Sequence, residues 1–211
     1  VISGQTEAEL TFVGGLSDLS PADGPFVVTD LGGGSTEIVV GELAGGEVRL
    51  LGARSVDLGC VRITERVLHS DPPTAEEVAE AREFIASVMA EISDLPLGRA
   101  ARWVGVAGTF TTLSALAQEL EEYDAERIHC SRIGLDWMRE VCGRLVGMTV
   151  AERRALGPMH PGRADVFAGG ALVTQLLCDV MAERAGLSEL TVSEKDILDG
   201  IAMSVLTRLA G

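Results

Sequence analysis

The sequence predicts an α/β domain built on a mixed five-stranded sheet with helices on both faces. Three observations lead there. Residues 26–31, 36–43 and 48–56 are strand-like runs joined by short Gly-containing turns, which implies an antiparallel meander. Two later strand segments, 102–107 and 190–192, are each followed by a helical pattern. Residues 75–94 and 165–184 read as long apolar helices suited to cover the faces of such a sheet.

The elements follow in order. Residues 4–14 read as a short helix ending near Gly14-Gly15, and "SDLSPADGP" (17–25) as a loop. The meander then runs to Val56. A helix is expected over 58–69, broken by "DPP". In 75–94, Val78, Ala81, Ile85, Val88 and Ile92 recur at spacings of three and four, giving one apolar stripe. Thr74 is its expected N-cap, with Glu77 completing a capping box. After the strand at 102–107 comes a helix over 109–120, opened by Thr109, and then an irregular stretch. Residues 135–146 read as helical, and "TVAERRAL" as a short helix with Thr149 and Glu152 in capping-box positions. Asp165 is expected to cap the helix over 165–184, and Ser193 the last helix, 196–209. Residues 1–211 are expected to form one domain.

Composition excludes several classes. The net charge of -15 argues against DNA or RNA as a bulk partner, because phosphate binding on that scale needs a basic field. A small phosphate-bearing ligand, held by backbone N–H groups and a divalent cation, stays open. Lys195 is the only lysine and follows no glycine loop, so there is no Walker-type phosphate loop. Cys60, Cys130, Cys142 and Cys178 lie far apart, which suits buried thiols in a reducing, cytoplasmic compartment. His69, His129 and His160 form no metal-spaced cluster. No run approaches a membrane span, and no signal-peptide layout is seen. The chain opens at Val1 inside a running pattern, which suggests a piece of a longer protein.

The stretch "DLGGGST" (30–36) carries the clearest chemistry. A tight hairpin explains one or two glycines. Three of them, with hydroxyls after, suit a loop whose N–H groups converge on one phosphate. Asp30 at the strand end suits a metal ion or a positioned water. "GVAGTFTTL" (105–113) is a strand-to-helix turn whose N–H groups at Gly108 and Thr109 suit an anion equally well as a simple N-cap. Arg163, before the long helix, is a phosphate or salt-bridge candidate. Glu7 and Glu9 alone read as surface carboxylates.

As a set, "ISGQTEA" (2–8), "DLGGGSTEIV" (30–39), "DLGCVRITE" (57–65), "GVAGTFTTL" (105–113), "RADVFAGGAL" (163–172) and "VSEKDILDG" (192–200) resemble the exopolyphosphatase / guanosine pentaphosphate phosphohydrolase (Ppx/GppA) family. The blocks keep the family's order and span the chain. The resemblance implies a ribonuclease H-like domain of the actin-like ATPase superfamily. It implies hydrolysis of a terminal phosphoanhydride, either of inorganic polyphosphate or of pppGpp to ppGpp, assisted by Mg2+. On that basis Asp30 stands near the metal and the attacking water. Gly32, Gly33, Gly34, Ser35 and Thr36, with Gly108 and Thr109, hold phosphate, and Glu7 is the candidate base. Many members carry Glu-Glu-Ala where this chain has Thr6-Glu7-Ala8. The family's N-terminal domain, with its own phosphate loop, is expected as the partner of this one, which would then be half of a cleft and inactive alone. Apolar surface left by that partner is expected to favour self-association into a homodimer. A polyphosphate- or nucleotide-binding sensor without catalysis is the alternative. Another actin-like enzyme is disfavoured by the last two blocks.

Overall fold

A computed structural model of the chain describes residues 4–45 and 47–210; Ile2 and Ser3 of the opening motif lie outside the described residues. Helix α1 (Gly4–Leu16) precedes the meander β1 (Phe26–Leu31), β2 (Thr36–Ala44) and β3 (Glu47–Val56). Helices α2 (Cys60–Val67) and α3 (Ala75–Met89) follow, then β4 (Arg102–Val106) and α4 (Gly108–Ala117). The chain continues through α5 (Ala125–Ile128), β5 (Arg132–Gly134), α6 (Leu135–Val146), α7 (Val150–Arg154) and α8 (Phe167–Ala185). Strand β6 (Glu189–Val192) and α9 (Ile197–Ala210) end it.

The sheet order is β3-β2-β1-β4-β6-β5. Strands β1, β4 and β6 run parallel, while β2, β3 and β5 are antiparallel to their neighbours. The sheet therefore has six strands, not five. The extra one, β5, lies in the stretch expected to be irregular. It is three residues long and buries only Ile133, too little to set up a period-two pattern.

Alternation along β1 divides the interior in two. Val27 and Leu31 join a large core filled by α2, α3, α4, α6 and α8. Phe26 and Val28 face the opposite side, where Ala8, Phe12 and Leu16 of α1 cover them. Helices thus occupy both faces. The two long apolar helices expected to cover the faces both lie on the large-core side.

The capping boxes at Thr74/Glu77 and Thr149/Glu152 are formed. Two other caps differ from expectation. Val166, not Asp165, is the N-cap of α8, and the Asp165 carboxylate accepts the Val166 amide one residue on. Ser193 accepts the Lys195 amide and stays outside α9. That helix is capped instead by a reciprocal pair: Asp196 Oδ1 accepts the Leu198 amide at 2.8 Å, and Asp199 Oδ2 accepts the Asp196 amide at 3.0 Å.

Helices α1 and α9 cross where neither has a side chain. A Cβ on Gly14 would lie 1.9 Å from the Asp196 carbonyl oxygen, and one on Gly200 2.0 Å from that of Leu10. The crossing fixes Glu7 on α1 and Asp196 before α9 against one end of the sheet. Further along α9, Leu198, Ile201, Val205 and Leu206 stay exposed, with Leu198 at 69% and Leu206 at 66%. Among the described residues, no helix is long and apolar enough to cross a membrane. Because added volume here meets backbone rather than a movable side chain, Gly200→Ala is expected to cost about 1–3 kcal/mol. A urea midpoint unchanged from the native chain would contradict this.

Candidate functional site

The site is built at the C-terminal ends of β1 and β4. Asp30 is the next-to-last residue of β1, and strand alternation puts its side chain on the α1 side with Phe26 and Val28. Glu37 is its cross-strand partner on β2. Burial pushes the Asp30 carboxyl up to about 6, and the charges of Glu37, Asp196 and Glu7 push in the same direction. A half-buried carboxylate pressed by three other acids suits a cation. Among the described residues, no three acidic, histidine or cysteine side chains are placed to enclose one.

The glycine loop owes its shape to α2. Gly32 N–H closes it by donating to Ser35 O at 3.0 Å. Gly32 O accepts the Cys60 amide at 3.0 Å, and Gly33 O accepts those of Val61 and Arg62 at 3.0 and 3.1 Å. Arg62 Nε donates to Gly34 O at 2.7 Å. The loop's carbonyls are thus drawn back onto the first turn of α2, which has no side-chain cap of its own. The amides of Gly33, Gly34 and Ser35 are left without an acceptor among the described residues. Close approach requires Gly59, where a Cβ would sit 2.2 Å from Gly33 O.

Thr36 departs from its expected role as a phosphate ligand. It is fully buried, and its hydroxyl donates to Leu58 O at 2.6 Å. That hydroxyl fastens the loop to the segment before α2 and is unavailable to an anion.

The other wall is the N-terminus of α4. Its N-cap, Ala107, sits at φ 74°, ψ 170°, a conformation that non-glycine residues rarely adopt and that is found where a site holds it in place. No side chain caps this helix, so its first amides are open. Gly32 and Gly33, Cys60, Ala107, Gly108, Thr109 and Arg163 surround a cavity of about 190 Å³. Gly32, Gly33, Gly108 and Thr109 therefore meet as expected, while Gly34 and Ser35 lie beyond the cavity wall. The Arg163 guanidinium lies across Gly108 and makes no hydrogen bond or ion pair with the described residues.

Glu7 is exposed and faces a different cleft, of about 490 Å³, on the α1 side. Glu37 and Ser55 share its mouth, and Val39, Leu50 and Ala53 make its walls apolar. Glu7 and Asp30 thus reach the same end of the sheet without lining the cradle together. Cys60 and Ala107 carried no chemical signal in the sequence. Both serve through the backbone, which residue type does not announce.

The order of this sheet, with helices on both faces and an uncapped helix N-terminus opposite a glycine loop, defines a domain of the ribonuclease H-like, actin-related class. The match to known proteins is correspondingly close. The model of the Ppx/GppA phosphatase family matches residues 1–205, and the chain belongs to that family. Exopolyphosphatase 2 of Mycobacterium tuberculosis is 55% identical over 97% of this chain. A solved exopolyphosphatase-like protein superposes with a TM-score of 0.90 at 36% identity, over 99% of this chain and 68% of that one. The Aquifex aeolicus Ppx/GppA member gives a TM-score of 0.82 at 26% identity, over 100% of this chain and 65% of that one. The chain spans 63% of the length of the mycobacterial relative.

The Asp30 shift has a stability consequence. Between the ordinary carboxyl value of 3.8 and about 6, the folded chain keeps a proton that the unfolded chain has lost. Stability from this group is therefore lost as pH rises through that window and stays lost above it. In metal-free buffer, Asp30→Asn is expected to stabilise the fold on the order of 1–3 kcal/mol at pH 8 and by little at pH 4. Denaturant melts at both pH values check this, and equal effects at the two would contradict the shift.

Proposed function

We propose that this chain is the phosphate-holding half of a phosphoanhydride hydrolase. It acts on inorganic polyphosphate, on pppGpp, or on both. The observation that carries the reading is the cavity in which Gly33, whose amide has no acceptor among the described residues, meets the uncapped N-terminus of α4 and the Arg163 side chain. The 55% identity to a protein named exopolyphosphatase supports the polyphosphate reading.

The residues divide the work. Loop amides and the first turn of α4 bind oxygens of the terminal phosphate, with Thr109 beside them. Arg163 adds a charged donor. Asp30 would hold Mg2+ with the substrate's own oxygens, and bound there Mg2+ neutralises anhydride charge. Glu7 takes the proton from the attacking water and so must be brought toward the cradle. Such chemistry rests on positioning and charge neutralisation, so a facing phosphate loop from an N-terminal domain is required for turnover. The exposed stripe on α9 is an apolar surface suited to such a partner, and the same stripe would drive homodimers of the isolated chain.

Phosphate release from polyphosphate, pppGpp and ATP is to be compared between this 211-residue chain and the full-length protein. Turnover is expected only in the latter, and equal rates would show that the chain needs no partner. In the full-length protein, Glu7→Gln is expected to lower kcat by about 10²–10⁴-fold with little change in KM. The single acid at Thr6-Glu7 favours a second reading, a binding-only sensor. Tight binding without turnover in the full-length protein would establish that reading instead.

A further inference from the structure

Arg153 is a cation where a protein rarely puts one. Its side chain is only 2% exposed, on the short helix α7, remote from any solvent-facing role. It forms no ion pair among the described residues and donates only to carbonyls. Nε donates to Ala164 O at 2.8 Å and Nη1 to Leu145 O at 3.0 Å, with a further bond from Nη1 to Met148 O. Burial pulls the guanidinium's pKa down, while the charges of Asp71, Asp165 and Glu152 push it up. An apolar side chain of similar volume would fill the space without the desolvation cost of a charge. What it would not supply is a rigid fork joining three backbone points.

Two of those points are Leu145 O in the last turn of α6 and Met148 O just past its end. The third belongs to the turn before α8. That turn is closed by Arg163 N–H to His160 O at 2.9 Å and Val166 N–H to Arg163 O at 3.2 Å. Ala164, gripped by Arg153, is the residue after Arg163. The Arg163 guanidinium lies so close over Gly108 that a Cβ there would come within 2.0 Å of its Cζ. Among the described residues the Arg163 side chain has no acceptor, so its backbone and that contact fix its direction.

We propose that Arg153 is a positioning residue that fixes the 160–166 turn, so that Arg163 is held across the cradle before any anion arrives. The proposal deepens the hydrolase reading above and rests on it for the identity of the ligand. A long arginine ordered in advance loses less freedom on binding, which improves affinity without any new contact.

The probe is tripolyphosphate with Mg2+, titrated into the full-length protein by calorimetry. Arg153→Lys keeps the charge but loses the fork, and is expected to weaken binding about tenfold. In an Arg163→Ala background, adding Arg153→Lys is expected to weaken it less than twofold further, because the effect runs through Arg163. Arg139→Lys, on a residue bonded to Asp136, Asp179 and Cys178 O away from the cradle, is expected to lower the melting temperature without changing affinity. Equal losses for Arg153→Lys in the two backgrounds, or an unchanged affinity in a folded variant, would overturn the proposal. A ligand-free readout accompanies this. The Arg163 Nε–H NMR signal is expected to shift and broaden in Arg153→Lys, and an unmoved signal counts against the proposal. Should the full-length protein bind no tripolyphosphate, the hydrolase reading falls while that signal still decides the role of Arg153. Arg153→Gln, which retains a donor toward Ala164 O, replaces the lysine variant if the latter does not fold.

Discussion

The capture of the Gly32 and Gly33 carbonyls by the first turn of α2 is the interaction on which the site depends. A helix start must satisfy several amides, and this one does so with the glycine loop rather than with a side chain. Each carbonyl taken fixes the peptide plane that carries it. The amide groups on the other side of the loop then have nowhere to point but outward. Gly59 makes the approach sterically feasible, Thr36 ties the loop to Leu58, and Arg62 takes the remaining carbonyl at Gly34. One helix spends its positive pole on the protein's own chain, and α4 keeps its pole open for a ligand.

Charge at the other side of the site works against the fold. Glu37 on β2, Asp196 before α9 and Glu7 on α1 all act on Asp30, and among the described residues no lysine or arginine offsets them there. The close crossing at Gly14 and Gly200 keeps two of those elements in place. Packing between backbones thus stabilises an arrangement that electrostatics opposes, which is the pattern expected where a cation or a reacting group is to be held.

Much of this was legible in the residues. The meander, the strand-helix units and both Thr/Glu capping boxes follow from period and cap chemistry, and the order of motif blocks indicated the family. The glycine loop and the α4 turn stood out as candidate sites because backbone access leaves a visible trace, the absence of side chains, and the structure brings Gly32, Gly33, Gly108 and Thr109 to one cavity. Other features left none. β5 is too short to alternate, and the cap of α9 moved from Ser193 to Asp196 because an aspartate pair could satisfy two amides at once. Thr36 reads as a donor in sequence, yet the nearest acceptor in space is Leu58 O. The grip of Arg153 on Ala164 joins residues on separate elements through backbone oxygens, which no side-chain pattern encodes.

A cradle made of peptide dipoles inside a chain of net charge -15 has an unusual relation to ionic strength. A lysine-lined groove draws polyanions from a distance and releases them as salt rises. On the proposed reading the field of this acidic chain opposes an approaching polyanion, and Arg163 is the one cation lining the cradle among the described residues. Added salt screens the repulsion first and leaves the short contacts largely intact. Association with a polyanion should therefore quicken as salt is raised, the reverse of the usual trend, and a rate that falls with salt would point to a basic surface elsewhere on the protein.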